Sequence, residues 1–526
     1  MARIHVFDST LRDGAQAQGI SYSVEDKLKI VRRLDELGIS YIEAGNPGSN
    51  PKDLEFFSRL GTLKLANAKI VAFGSTRKVG AAAAEDSNLR SLVAAGTRAV
   101  CIFGKSWDYH VTEILRTTLD ENLAMVGDTV RFLKAQGKEV IYDAEHFFDG
   151  YKANADHAMA TLAAAAEAGA DCLCLCDTNG GSFPAEVAAI TREVVGRFGN
   201  RVGIHCHNDG ELAVANSVMA VQAGATQVQG TINGIGERCG NANLCSIIPN
   251  LQLKLGLECI PPESLAQLTS AARFVSEVAN VTLNDKAPYV GNDAFAHKGG
   301  MHIDAVGKNP LSYEHVNPEQ VGNSRRILMS EVAGRSTLLA RINAFAPDLT
   351  KDSPTTRRII DRLKELEHEG YQFESAESSF ELVVRKLLGK YRPFFELKEF
   401  KVIVTEPAAA GAANSSAMIK IRVGELEEIT AAEGDGPVNA LDNGLRKALE
   451  RFYPAIGEMK LTDFKVRVLD SDHASAAKVR VLIESADRHE NWTTIGVSTD
   501  IIDASWRALV DAIEYKLVRD RERQGG

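Results

Sequence analysis

Over its first ~260 residues the chain switches eight times between a short apolar run and a longer amphipathic stretch, a pattern of repeated strand–helix units. The short runs fall at 3–8, 40–44, 69–73, 99–103, 139–143, 171–176, 201–206 and 227–231, and each leads into a helical pattern. The first helix is expected over 24–37, where Val24, Leu28, Val31, Leu34 and Leu37 share one stripe. Its Ser23-Val24-Glu25-Asp26 start supplies a capping side chain and early acids. Another helix is expected over 154–168, Ala-rich and stopped by Gly169. Helices between successive strands provide the crossovers that parallel pairing needs. A closed (β/α)8 TIM barrel accounts for eight such units. A doubly wound open sheet is the alternative, but no Gly-x-Gly-x-x-Gly follows the first strand to support a dinucleotide-binding version.

The whole chain, at 526 residues, is too long for one ordinary core, so two or three domains are expected. After Leu255 the texture changes. Pro261-Pro262 marks a break, a helical stretch covers 263–278, and glycines cluster at Gly299-Gly300. A charged, mostly helical region runs on to about Tyr391, and 407–416 reads as a loop. From about Phe400 strands and helices mix without the barrel's alternation, with strands expected at 418–423, 462–469 and 477–485. Two glycine-bearing phrases, Gly434-Asp435-Gly436-Pro437 and Gly496-Val497-Ser498-Thr499, each precede a helix, over 441–451 and 504–515, as in a degenerate repeat. The expected division is a barrel over 1–262, helical linker subdomains over 263–396 and an α+β domain over 397–526.

A net charge of −10 argues against a nucleic-acid partner, whose phosphates favour a basic surface. No apolar run is long enough to span a membrane. The opening Met1-Ala2-Arg3-Ile4 enters a strand-like run without a charged leader and apolar stretch, so no signal peptide is expected. The eight cysteines are scattered, with Cys172, Cys174 and Cys176 alternating along one strand, which suits a reduced, cytoplasmic setting.

Functional side chains of such barrels gather at the C-terminal ends of the strands. The reactive residues of this sequence fall there. Strand seven ends in His205-Cys206-His207-Asn208-Asp209, and residues two apart on a strand face the same way, so two imidazoles converge on the mouth as a transition-metal pair. An isolated His-x-His would more often be packed or hydrogen-bonded at a strand end; its place at the rim favours ligation. Strand one runs into Asp8-Ser9-Thr10-Leu11-Arg12-Asp13-Gly14, where Asp13 is a candidate carboxylate ligand and Arg12 a candidate for oxyanion charge. A surface Arg–Asp pair in a turn is the plainer reading. Glu145, after strand five, is a candidate general base or an ordinary loop acid. Thr178, after strand six, is a candidate for a substrate carboxylate or part of a simple turn. After strand eight, Gly234-Ile235-Gly236-Glu237-Arg238-Cys239-Gly240-Asn241 permits close backbone approach, with Asn241 as a possible oxygen donor to the metal.

Together these phrases resemble the metal-dependent acyltransferases that include 2-isopropylmalate, homocitrate and citramalate synthases, whose lyase relatives share the barrel. The matching phrases are 8–14, 205–209 and 230–241, in family order, and the resemblance covers nearly the whole chain. It implies a divalent metal (Mg, Mn, Co or Zn) on Asp13, His205 and His207, with Asn241 as a possible fourth ligand. It places Arg12 and Thr178 at a 2-keto acid and Glu145 as an acid/base group, with acetyl-CoA as co-substrate. The segment Ala296-His297-Lys298-Gly299-Gly300-Met301-His302 resembles the linker phrase that carries a catalytic histidine, a place that His302 fits. The role of Tyr313 stays open. The resemblance also implies a C-terminal regulatory domain that binds an end-product amino acid, and a homodimer or higher oligomer. The wording of 16–21 and 43–51 is most similar to the longer citramalate synthases, which use pyruvate in isoleucine biosynthesis. Phe73 and Ile102 or Phe103 are candidates for closing the keto-acid pocket. A 2-isopropylmalate synthase, a lyase of the same barrel, and a non-catalytic metal-binding or amino-acid-sensing protein are the alternatives.

Overall fold

Ser23 opens the first helix as its spacing predicts. The Ser23 hydroxyl accepts the Asp26 N–H at 3.1 Å, and the Asp26 carboxylate accepts the Ser23 N–H at 3.0 Å, a reciprocal capping box. The helix Val24–Leu37 then ends at Gly38, whose φ of 92° is left-handed. This is a computed structural model, and it describes residues 3–298, 300–327, 342–343, 349–350, 353–405, 414–469, 477–487 and 490–524. Gly299 and most of the loop expected over 407–416 lie outside the described residues.

Eight parallel strands close into one barrel in chain order, which excludes the doubly wound alternative. They are β1 (His5–Asp8), β2 (Tyr41–Glu43), β3 (Lys69–Ser75), β4 (Ala99–Lys105), β5 (Glu139–Glu145), β6 (Cys172–Asp177), β7 (Val202–Cys206) and β8 (Gln227–Gly230). Closure is direct, with Phe7 of β1 in register with Tyr41 on one side and Gln229 on the other. The two faces of each strand serve different cores. Phe7, Tyr41, Val71, Cys101, Ile141 and Cys174 pack inside the barrel. Their neighbours Val6, Ile42, Val100, Ile102, Val140 and Leu173 pack outward into the shell shared with the helices. That shell includes Leu268, Ala271 and Val275 of the helix Leu268–Val278, so the first compact unit takes in Met1–Ala296 together with Pro310–Arg326.

The second unit comprises His297–Asn309 and Ile327–Gly526. Within it, two three-stranded antiparallel sheets are each followed by a helix. The strands Glu396–Val404, Ser415–Val423 and Leu426–Gly434 precede Pro437–Glu450; Lys460–Val468, Val479–Ala486 and Asn491–Ser498 precede Ile501–Gln524. The repeat therefore extends over a whole βββα unit. Its two glycines sit where strand meets helix. A Cβ on Gly434 would lie 2.4 Å from the Ala440 backbone nitrogen, and one on Gly496 would lie 1.9 Å from the Ala504 carbonyl oxygen. Among the described residues, no helix is long and apolar enough to cross a membrane.

Candidate active site

β1 and β7 bring three ligand-type side chains together at the C-terminal rim. After β1 the chain turns back on Ser9, whose carbonyl accepts the N–H groups of Arg12 and Gly14 at 3.1 and 3.0 Å. This turn lifts Asp13 over the mouth. Asp13 Oδ2 lies 3.8 Å from His205 Nε2 and 3.9 Å from His207 Nε2, and all three side chains are buried. One ligand atom from each lies within 4.8 Å of the others. Burial raises the Asp13 carboxyl, but Arg12 and the two imidazoles outweigh it and hold the group well below the usual carboxylate range. His207 is pushed down to about 3, chiefly by burial and then by His205, against the pull of Asp13. A carboxylate beside two imidazoles is a donor set that a divalent transition metal takes.

Asn241 joins this group through the backbone. His207 and Asn241 form an antiparallel bridge, the Asn208 N–H meets the Gly240 carbonyl at 2.8 Å, and the Ala242 N–H meets the Cys206 carbonyl at 2.9 Å. The Asn241 amide donates to Asp13 Oδ1 at 2.9 Å, while its own Oδ1 is buried without a partner among the described residues, as is His207 Nδ1. An orphaned buried oxygen beside the triad fits a further metal donor. The glycines of this phrase are steric necessities: a Cβ on Gly236 would lie 2.0 Å from Asn241 Nδ2, and Gly240 has a φ of 91°. A second group, Asp143, Cys174 and Cys176, also clusters inside the barrel. There Asp143 already accepts the Gln229 amide, and burial pushes the Cys176 thiol up to about 11.

Arg12 is held on two carboxylates. Its Nη1 lies 2.8 Å from Asp13 Oδ2 and its Nε 2.7 Å from Glu43 Oε2 at the end of β2. Glu43 is wholly buried and also accepts the Ser9 hydroxyl. The guanidinium carbon sits 3.9 Å from the Phe73 ring centroid, and Phe73 stacks on Phe103 at 5.4 Å. A cleft of about 260 Å³ opens here, lined by Arg12, Phe73, Ile20, Tyr22, Lys27 and Asn46. Of the pocket candidates, Ile102 is corrected: it occupies the opposite face of β4 from Cys101 and packs outward.

The remaining candidates lie at different places. Glu145, at the end of β5, pairs with Lys105 at the end of β4. The Thr178 oxygen accepts the His146 N–H at 2.8 Å, and Arg238 binds the Thr178 carbonyl at 2.7 Å while bridging to Asp209. His302 stands on the helix Gly300–Lys308, which belongs to the second unit. Sequence reasoning missed Glu43, Lys105 and Gln229. A charged or amide side chain at an inward position of an apolar barrel strand was the available signal.

The barrel and its continuation have known counterparts. Residues 3–275 match the HMGL-like family, 289–371 the homocitrate synthase post-HMGL domain-like family, and 374–517 the LeuA allosteric (dimerisation) domain. The (R)-citramalate synthase of Geobacter sulfurreducens is 53% identical over 100% of this chain and 99% of its own. That of Aquifex aeolicus is 52% identical over 99% of both chains. A probable 2-isopropylmalate synthase of Methanopyrus kandleri is 32% identical over 99% of both. Matched end to end at this identity, and carrying the rim residues on a closed eight-stranded barrel, the chain belongs to the (R)-citramalate synthase family of HMGL-like proteins.

Proposed function

We propose that this chain condenses the acetyl group of acetyl-CoA with pyruvate and hydrolyses the resulting thioester, consuming one water and releasing (R)-citramalate, CoA and a proton. The observation that carries the reading is the convergence of Asp13, His205 and His207 beside Arg12 at the barrel rim. A divalent ion (Mg, Mn, Co or Zn) held by these three residues, with Asn241 Oδ1 as a further donor, supplies Lewis-acid polarisation of the keto carbonyl. Arg12, fixed by Glu43, presents its free N–H edge to the keto oxygen as that oxygen gains charge. Thr178 donates a hydrogen bond from its hydroxyl to the substrate carboxylate, since the lone-pair side of its oxygen is already turned to the His146 N–H. Glu145, steadied by Lys105, takes a methyl proton from the acetyl group. The methyl carbon then bonds the keto carbon, the keto oxygen takes up one proton to replace the one lost to Glu145 and becomes a hydroxyl, and water cleaves the thioester, with CoA leaving as the thiol and the new carboxylic acid releasing a proton. His302 fits the place of the linker's catalytic histidine.

Phe73 under the Arg12 guanidinium, with Phe103 stacked behind it, supports pyruvate as a bulky wall to the cleft. The lower identity to the 2-isopropylmalate synthase supports the same choice. The match to the LeuA domain supports a homodimer and an amino-acid effector, for which isoleucine is our candidate. Free thiols at all eight cysteines suit the cytoplasm. A thiol reagent that follows CoA release tests the reaction. Pyruvate should exceed 2-ketoisovalerate by well over tenfold in kcat/KM. The reverse preference would make the enzyme a 2-isopropylmalate synthase, and no release with any keto acid would defeat condensation.

A further inference from the structure

His205 and His207 are equally buried, but only His205 is oriented from behind. His205 Nδ1 lies 3.0 Å from Gln229 Oε1, and Gln229 Nε2–H donates to Asp143 Oδ1 at 2.8 Å. These residues come from β7, β8 and β5, and His205 and Gln229 are register partners across adjacent strands. Gln229 is wholly buried and Asp143 nearly so, and no mechanistic step above uses either. An amide has one donor end and one acceptor end. With the donor end on the Asp143 carboxyl, the acceptor end must face the imidazole.

From this chain of bonds we propose that Gln229, itself aimed by Asp143, is a positioning residue that holds His205 as its Nδ1–H tautomer and so turns the Nε2 lone pair toward Asp13. The inference rests on reading Asp13, His205 and His207 as a metal site. An inverted amide would present N–H to Nδ1, move the imidazole proton to Nε2 and block ligation. Among the described residues His207 Nδ1 has no hydrogen-bond partner, so His205 is the ring whose direction is set in advance. The site's affinity therefore depends on two residues that touch neither metal nor substrate.

Calorimetric titration of the metal-stripped full-length chain with Mn²⁺ or Co²⁺ tests this. The parent should bind with one saturable site that Asp13→Ala abolishes; if the parent binds nothing, the metal-site reading itself fails. Gln229→Met keeps the bulk and removes the acceptor, and its Kd should rise about tenfold to a hundredfold, as is usual when a ligand's outer partner is lost. Asp143→Asn retains an acceptor oxygen, and its Kd should stay within about threefold of the parent. The unfolding temperature of the metal-free forms controls for structural damage. Parent-like binding by Gln229→Met, or an equal loss in Asp143→Asn, overturns the proposal. If Gln229→Met does not fold, the Co²⁺-loaded parent decides. Proton NMR should show one paramagnetically shifted imidazole N–H that exchanges slowly with water and disappears in His205→Ala, and its absence overturns the proposal.

Discussion

Arg12 and Glu43 form a buried ion pair between the turn after β1 and the end of β2, with Nε and Oε2 2.7 Å apart. The pair fixes which edge of the guanidinium remains for substrate, since Nη1 is already on Asp13. Glu43→Gln keeps an acceptor but drops the charge, and a hydrogen bond to a charged group is worth about 1.5–3 kcal/mol. We expect kcat to fall on the order of tenfold. Arg12→Lys, which loses the planar fork entirely, should cost about a hundredfold or more. Steady-state CoA release measures both, and near-parental kcat in Arg12→Lys would reduce that residue to a structural role.

Removing a ligand should separate binding from folding. Asp13→Ala and His207→Ala should nearly abolish turnover and leave less than stoichiometric metal after dialysis. Both side chains sit on the rim, outside the apolar cores, so the barrel should still unfold cooperatively near the parental temperature. Full activity of either variant in chelator-treated buffer would end the ligand assignment.

The aromatic pair gives a specificity test. Phe73 lies under Arg12 on the cleft wall and Phe103 stacks on it, so shortening either should enlarge the space for a keto-acid side chain. Phe103→Ala should raise the kcat/KM ratio of 2-ketoisovalerate to pyruvate by about tenfold or more, because relief of exclusion adds to the energy of the extra methyl groups. Phe73→Ala should do the same with a lower kcat, since Arg12 rests on that ring. An unchanged ratio in both would place the pocket wall elsewhere.

The rim cluster was legible because strand order and period-two alternation bring His205 and His207 to the same rim as the Asp13 turn after β1. Glu43 and Gln229 were not, because their roles depend on partners from other strands, Arg12 on the turn after β1 and Asp143 on β5. Linear spacing carries no sign of such contacts. Of the two alternatives on β4, Ile102 fails by one step of the same alternation, since Ala99 and Cys101 face the barrel interior and Ile102 the outer shell. In the second unit, Glu396–Val404 and Leu426–Gly434 escaped notice as strands because their exposed, charge-rich faces lack a continuous apolar run. Asn491–Ser498 ends in the glycine phrase that leads into the helix Ile501–Gln524, and a glycine there masks the strand's apolar alternation.

Asp8 should leave a mark on stability against pH. Burial pushes its carboxyl up from 3.8 to about 7, against the opposing hydrogen bonds from Thr10. Between those values the folded state keeps a proton that the unfolded chain has released. Its contribution to stability therefore falls as pH rises from about 4 to about 7 and is flat above that. Asp8→Asn removes the titration, so parent and variant should diverge across this window by a few kcal/mol (about 1.4 kcal/mol per unit). Urea unfolding at pH 5 and pH 8 measures the slope, and parallel curves would mean that Asp8 titrates normally.

Two glycines of one phrase should separate regulation from packing. Gly434 ends its strand where a Cβ would lie 2.4 Å from the Ala440 nitrogen. Gly436, just before the helix Pro437–Glu450, has extended backbone and nothing within 4 Å of a Cβ. If isoleucine sets its carboxylate against the N–H groups at this helix start, a carboxylate side chain there should compete with it. Gly436→Glu should therefore raise the isoleucine concentration for half inhibition by about tenfold, an amount that matches a coupling of about 1.4 kcal/mol, while activity and unfolding temperature stay near parental. Gly434→Glu should also relieve inhibition, but with a lower unfolding temperature, because its side chain must displace the first turn of the helix. Relief confined to Gly434→Glu would assign the effect to disrupted packing instead of a contested anion site. Calorimetry that finds neither isoleucine nor leucine binding to the full-length chain would leave the second unit without an effector of this class.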